Sequence, residues 1–132
     1  MPLKLHNYFR SSTSTRLRAA LNLKGLAYDY VGVHLVKGEH RAAPYTGLNP
    51  QKLVPALELE DGTVLIQSLA IMEWLDEAHP EPPLLPEGAL ARARVRALGQ
   101  MIALDIHPVN NLRVMNFHAA ALGGDETAQA AA

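Results

Sequence analysis

The chain has 132 residues, 48% apolar and 19% charged, with a formal net charge of -1; it is long enough for one full core, or one small domain with part of another, and lacks the concentrated basic face of a nucleic-acid binder. The absence of cysteine excludes a disulfide scaffold and a cysteine-based zinc site, and the six histidines are dispersed with no metal-ligand spacing. Without a membrane-length apolar run or signal-peptide regions, the expected location is the cytoplasm, with no membrane and no nucleic acid among its partners.

Leu3-Lys4-Leu5-His6-Asn7-Tyr8 alternates apolar and polar residues and predicts a half-buried strand. The hydroxyl run Ser11-Ser12-Thr13-Ser14-Thr15 follows, and beyond it Leu17, Ala20 and Leu21 form one apolar helical face. The hydroxyls therefore lie where a strand turns into a helix, whose first N–H groups are unpaired and carry a partial positive charge. They read first as ordinary N-caps, which are commonplace, and otherwise as donors to an anion, of which a thiolate is one. Because the chain has no cysteine, that thiol would have to arrive with a ligand.

Lys24-Gly25 is a helix stop, and Tyr28 to Leu35 reads as a second strand, parallel to the first in a βαβ unit. Lys37 to Leu48 is polar with Gly38, Pro44 and Gly47, and admits at most a short or irregular helix. Pro55 stands just before an alternating strand, and proline, which donates no ladder bond, is allowed only at a strand's first position or on an edge. Local statistics favour a trans Val54-Pro55 bond; a cis bond would turn the Val54 backbone outward, with its N–H and C=O free for a peptide-like ligand. Asp61-Gly62 predicts a hairpin turn into Thr63-Val64-Leu65-Ile66. Gln67-Ser68 then opens a helix with Ile71, Trp74, Leu75 and Ala78 on one face, and its hydroxyl is either one more N-cap or a dock for a carboxylate.

The proline-rich stretch His79 to Pro86 reads as a domain linker, and the composition beyond it shifts to Ala, Arg and Leu. Ala91, Val95, Leu98, Ile102, Ile106 and Val109 keep helical spacing within an arm from about Glu87 to His118, which Pro108 should kink or break. His107, Asn110, Asn111 and Arg113 cluster polar side chains near that break, facing either solvent or a site. Gly123-Gly124-Asp125-Glu126 looks like a helix stop followed by a new N-cap. One long helix and a stub cannot bury their own apolar stripes, so a truncated second domain is expected.

Together these segments resemble the zeta class of glutathione transferases, the maleylacetoacetate and maleylpyruvate isomerases. The resemblance runs from Leu3 to about Glu126 and rests on Tyr8-Phe9-Arg10-Ser11-Ser12-Thr13-Ser14 with Arg16-Leu17-Arg18, Leu48-Asn49-Pro50, Leu53-Val54-Pro55, Ile66-Gln67-Ser68-Leu69-Ala70-Ile71, Leu84-Leu85-Pro86 and Asp105-Ile106-His107-Pro108-Val109-Asn110-Asn111, in the family's order. Thr13 departs from the cysteine that many zeta enzymes carry there. The resemblance implies an α/β chain: a thioredoxin-like glutathione-binding domain over residues 1–80, a linker over 81–86, and the beginning of an all-helical domain over 87–132. It implies glutathione as cofactor and Ser11 as the hydroxyl donating to its sulfur, with Ser12 and Thr13 close by. Val54 before a cis Pro55 would pair with the cysteinyl backbone, Gln67 and Ser68 would hold the γ-glutamyl end, and His40 would stand near the glycyl end. His107, Asn111 and Arg113 would line the cleft between domains, and Arg10 and Arg113 would pair with the carboxylates of a small dicarboxylate substrate. The implied activity is cis-trans isomerisation by reversible thiolate addition, in a homodimer when full length. A general conjugating transferase and a non-enzymatic glutathione-binding module are the alternatives.

Overall fold

A computed structural model describes residues 2–123, which fall into two units, the first ending at Leu85 and the second beginning at Pro86. The first is built on a four-stranded sheet, β1 (Leu3–Asn7), β2 (Tyr28–Gly32), β3 (Ala56–Glu58) and β4 (Val64–Ile66), in the order β2-β1-β3-β4. β1 runs parallel to β2 and antiparallel to β3, with Leu5 opposite Tyr30 on one side and Leu57 on the other. The period of two sorts these strands into two faces. Leu5 and Leu57 join Leu17, Leu21, Ile71 and Leu75 from helices α1 (Ser12–Leu23) and α3 (Ser68–Ala78) in the main core. Ala56 joins a smaller cluster with Val33 and Tyr45.

Strand β2 stops at Gly32, short of the expected Leu35. Its partner β1 ends at Asn7, whose carbonyl takes a last N–H from Val33 at 2.8 Å. The buried Asn7 amide turns back to the Leu5 and Val31 carbonyls, and the pairing of the two strands ends there. The stop of α1 is as expected: Gly25 takes φ +66, while Leu26 N–H reaches Leu21 C=O and Gly25 N–H reaches Asn22 C=O, both at 3.0 Å. Between β2 and β3 lie only a 3-10 turn (Glu39–Arg41) and the short helix α2 (Ala43–Leu48), with Pro44 in its first turn. The β3-β4 hairpin turns at Gly62, φ +86, with the Asp61 carboxylate accepting the Thr63 N–H at 2.8 Å.

The proline-rich segment is fastened to the first unit. Lys24, whose side chain is wholly buried, donates to Asp76 Oδ1 at 2.7 Å, to the His79 carbonyl at 2.7 Å and to the Pro82 carbonyl at 2.6 Å. An ammonium has three hydrogens, and all three are used. Asp76 Oδ1 also accepts the Leu84 N–H at 2.7 Å, and Leu84 packs against the main core.

In the second unit, α4 (Ala89–Gln100) widens into a π-helical stretch (Met101–Ile106), where His107 N–H reaches back to Ile102 C=O, and the helix then breaks. Pro108 has no N–H to continue the ladder. A new helix, α5 (Leu112–Leu122), starts under an Asn111 cap whose Oδ1 accepts from the N–H groups of Arg113 and Val114 at 3.0 and 3.3 Å. Gly123, φ +63, closes it; the expected cap and helix after it lie outside the described residues. Among the described residues no helix is long and apolar enough to cross a membrane.

Candidate functional site

The corner between β1 and α1 is held by its own polar side chains. Ser11 is the N-cap of α1, its Oγ accepting the Ser14 N–H at 3.2 Å, while the fully buried Ser14 Oγ accepts the Tyr8 N–H at 3.2 Å. Arg18 grips the loop from the other side, donating to Asn7 Oδ1 at 2.6 Å, Phe9 C=O at 3.2 Å and Thr15 Oγ1 at 2.8 Å. The capping reading of Ser11 is thus correct, yet it leaves the hydroxyl hydrogen available, because capping uses only a lone pair.

That hydrogen leads across to the other side of the site. Ser11 Oγ lies 2.8 Å from Thr13 Oγ1, and Thr13 donates to the Val54 carbonyl at 2.9 Å. The Val54-Pro55 bond is cis, against the local statistics. The Val54 carbonyl is not wholly free as anticipated, since Thr13 already occupies one of its two lone pairs. The loop before it is anchored at the Leu53 carbonyl, which accepts from the Tyr45 hydroxyl and, at 2.8 Å, from Asn49 Nδ2. Burial pushes the Tyr45 phenol up to about 12.

At the start of α3, Gln67 occupies the N-cap position with φ 71 and makes no side-chain cap; its Nε2 donates instead to Gln51 Oε1 at 2.8 Å. Ser68 is not a cap either. It is the first helical residue, and its buried hydroxyl accepts from Arg16 Nη1 at 2.9 Å. Gln51 is itself tied back, its N–H donating to Asn49 Oδ1 at 3.0 Å, so hydrogen bonds link the segments carrying Val54 and Gln67.

Among the predicted site residues, the structure brings Ser11, Thr13 and Val54 into one hydrogen-bonded chain. Ser12 and Arg10 stand exposed at the same corner. His40 is buried at the 3-10 turn with Nδ1 lacking a partner among the described residues, and burial first, then Arg41, holds its pKa below the ordinary histidine value. His107, Asn111 and Arg113 belong to the second unit, where Asn111 is spent on capping α5 and Arg113 is exposed. Sequence reasoning missed Ser14, Arg16, Arg18, Tyr45 and Asn49 as positioning residues. A signal existed for the arginines, which flank the hydroxyl run; nothing local distinguishes Tyr45 or Asn49 from loop residues.

Comparison with known proteins matches this arrangement to a family. The glutathione S-transferase N-terminal domain model covers residues 10–78. The chain belongs to the glutathione S-transferase family through that domain. It is 53% identical over 126 residues to a maleylpyruvate isomerase of a Ralstonia species, covering 96% of this chain and 59% of the relative. A maleylacetoacetate isomerase of Pseudomonas aeruginosa is 48% identical, over 86% of this chain and 55% of that protein. Among solved structures, a holo maleylpyruvate isomerase described as a bacterial zeta-class glutathione S-transferase superposes with a TM-score of 0.93 at 53% identity, over 97% of this chain and 60% of the other. A maleylacetoacetate isomerase of Methylobacterium extorquens AM1, solved with malonate and glutathione bound, gives a TM-score of 0.91 at 42% identity, over 96% of this chain and 59% of the other. The chain thus spans little more than half the length of these relatives.

Proposed function

We propose that this chain carries the glutathione site of a cis-trans isomerase that acts on maleylpyruvate or maleylacetoacetate. The observation that carries the reading is the hydroxyl chain from the α1 cap through Thr13 to the Val54 carbonyl beside a cis proline. It brings together, in one place, a hydroxyl able to turn to a sulfur and a backbone group for a peptide. Bound glutathione supplies a thiolate that adds reversibly to a double bond conjugated to a carbonyl, permits rotation, and leaves unchanged. Ser11 donates to the sulfur and, with the N-terminus of α1, favours its charged form over a thiol of ordinary pKa about 8.5. Val54 pairs with the cysteinyl backbone, and Gln67 and Ser68 hold the γ-glutamyl end at the start of α3. His40 serves the glycyl end. Arg10 pairs with a substrate carboxylate, since guanidinium binds it bidentately.

In this reading residues 1–80 form the glutathione-binding domain, 81–86 the connector and 87–132 the beginning of a helical domain. The enzyme works in the cytoplasm as a homodimer. Its test is glutathione titration by calorimetry together with an isomerase assay on both substrates. Ser11→Ala should lower turnover about ten- to a hundredfold, the worth of a hydrogen bond to a charged group, with glutathione affinity nearly unchanged. Gln67→Ala should weaken affinity instead. Accumulating glutathione conjugate without trans product would replace the isomerase by a conjugating transferase, and binding without any turnover would leave a binding module.

A further inference from the structure

We propose that Thr13 is a hydrogen-bond switch, coupling the Val54 carbonyl to the Ser11 hydroxyl so that a peptide amide docking on Val54 frees Ser11 to donate to sulfur. The proposal rests on the glutathione reading of this site and assigns Thr13 a positioning role within it.

Hydrogen counting fixes the resting state. The Val54 carbonyl can only accept, so the single Thr13 hydroxyl hydrogen lies in the 2.9 Å contact to it. The 2.8 Å contact between Ser11 Oγ and Thr13 Oγ1 must then hold the Ser11 hydrogen. Ser11 meanwhile accepts the Ser14 N–H at 3.2 Å. At rest, therefore, the Ser11 hydrogen points at Thr13 and none is left for a sulfur.

A second arrangement satisfies the same groups once a ligand amide is present. The ligand N–H takes the second lone pair of the Val54 carbonyl, which then keeps a partner when the Thr13 hydrogen rotates onto Ser11. Ser11 then accepts from both Thr13 and the Ser14 N–H, filling its two lone pairs, and turns its own hydrogen to the sulfur. No proton changes owner; two hydroxyl rotors turn. A donor that is itself receiving a hydrogen bond is polarised and binds an anion more strongly. Without the ligand amide, the rotation would leave the half-buried Val54 carbonyl without the bond from Thr13, which opposes it. Ser11 is thus offered to a thiolate when the thiol arrives on a correctly docked peptide, and less so to a free thiol.

The experiment compares glutathione with its depsipeptide analogue, in which oxygen replaces the cysteinyl N–H. Ultraviolet absorbance of the bound thiolate is followed against pH at saturating ligand. In the unmodified chain the thiol-to-thiolate midpoint should lie about half a pH unit lower for glutathione than for the analogue, after allowance for the difference between the free thiols. Thr13→Val should abolish that gap, and Thr13→Ser should restore it. A merely structural Thr13 would shift both ligands together. Equal midpoints in the unmodified chain, or a gap that survives in Thr13→Val, would overturn the switch while glutathione binding stands. No saturable glutathione binding would overturn the glutathione reading and the switch with it.

Discussion

Both units carry apolar periodicity and treat it differently. In the first, Leu5, Leu17, Leu21, Leu57, Ile71 and Leu75 are all fully buried, because strands and helices present their apolar sides to a common layer. In the second, no residue of α4 is buried, and Leu98 and Ile106 are 64% and 55% exposed. Periodicity says which side of an element is apolar; it does not supply the layer that covers it.

The sharpest way to break this contrast is hydrogen exchange. Amides of β1 should open only with the whole first unit, while those between Val95 and Ile106 should exchange about a thousandfold faster or more, through local opening. Equal protection in a demonstrably monomeric sample would mean that the second unit has covered its stripe, and the contrast would fail.

Lys24→Met comes next. Methionine approximates the shape but deprives Asp76 and the His79 and Pro82 carbonyls of the ammonium, at a cost of about 3–5 kcal/mol in denaturant melts, with faster exchange over residues 79–85. A loss below about 1 kcal/mol would show that the proline segment holds without it. Leu57→Ala should cost about 2–5 kcal/mol, whereas Leu98→Ala on the exposed stripe should stay within about 0.5 kcal/mol. Similar losses for both would contradict the burial difference.

The smallest effect concerns Glu58, whose carboxylate accepts from Lys4 at 2.8 Å and contacts His6 Nε2 at 2.9 Å. Lys4 first and His6 second hold its pKa below the ordinary 4.5. A depressed carboxylate stabilises the fold fully above its unfolded pKa, and that contribution disappears as pH falls through the folded value. Glu58→Gln should therefore be less stable at neutral pH and lose less stability on acidification below about 4.5, the two melting curves converging at the acid end. Parallel curves would show that the pair contributes nothing.

Much of the molecule was legible residue by residue. The βαβ order, the Gly25 stop, the Asp61-Gly62 hairpin and the break at Pro108 all follow from effects acting within a few residues: side-chain period, positive φ, a missing N–H. Ser11 as a cap was legible for the same reason. Gln67 and Ser68 were legible as a helix start, but neither as the cap that position suggests.

What the sequence determined by itself is the set of elements, their apolar sides and, through the joint order of its motifs, the family. Which polar groups meet was decided by the tertiary structure alone. Thr13 finds Val54 across 41 residues, Arg16 finds Ser68 across 52, and Lys24 finds the Pro82 carbonyl across 58. A buried polar atom takes whichever partner packing brings within reach, because leaving it unpaired costs more than the choice of partner gains. The cis bond at Pro55 belongs with these, since the local preference between isomers is only about 0.5–1 kcal/mol and the surrounding fold outweighs it. Lys24 makes the point most plainly: on the chain it is an ordinary residue before a helix-stopping glycine, and in the fold its buried ammonium holds the end of the first unit together.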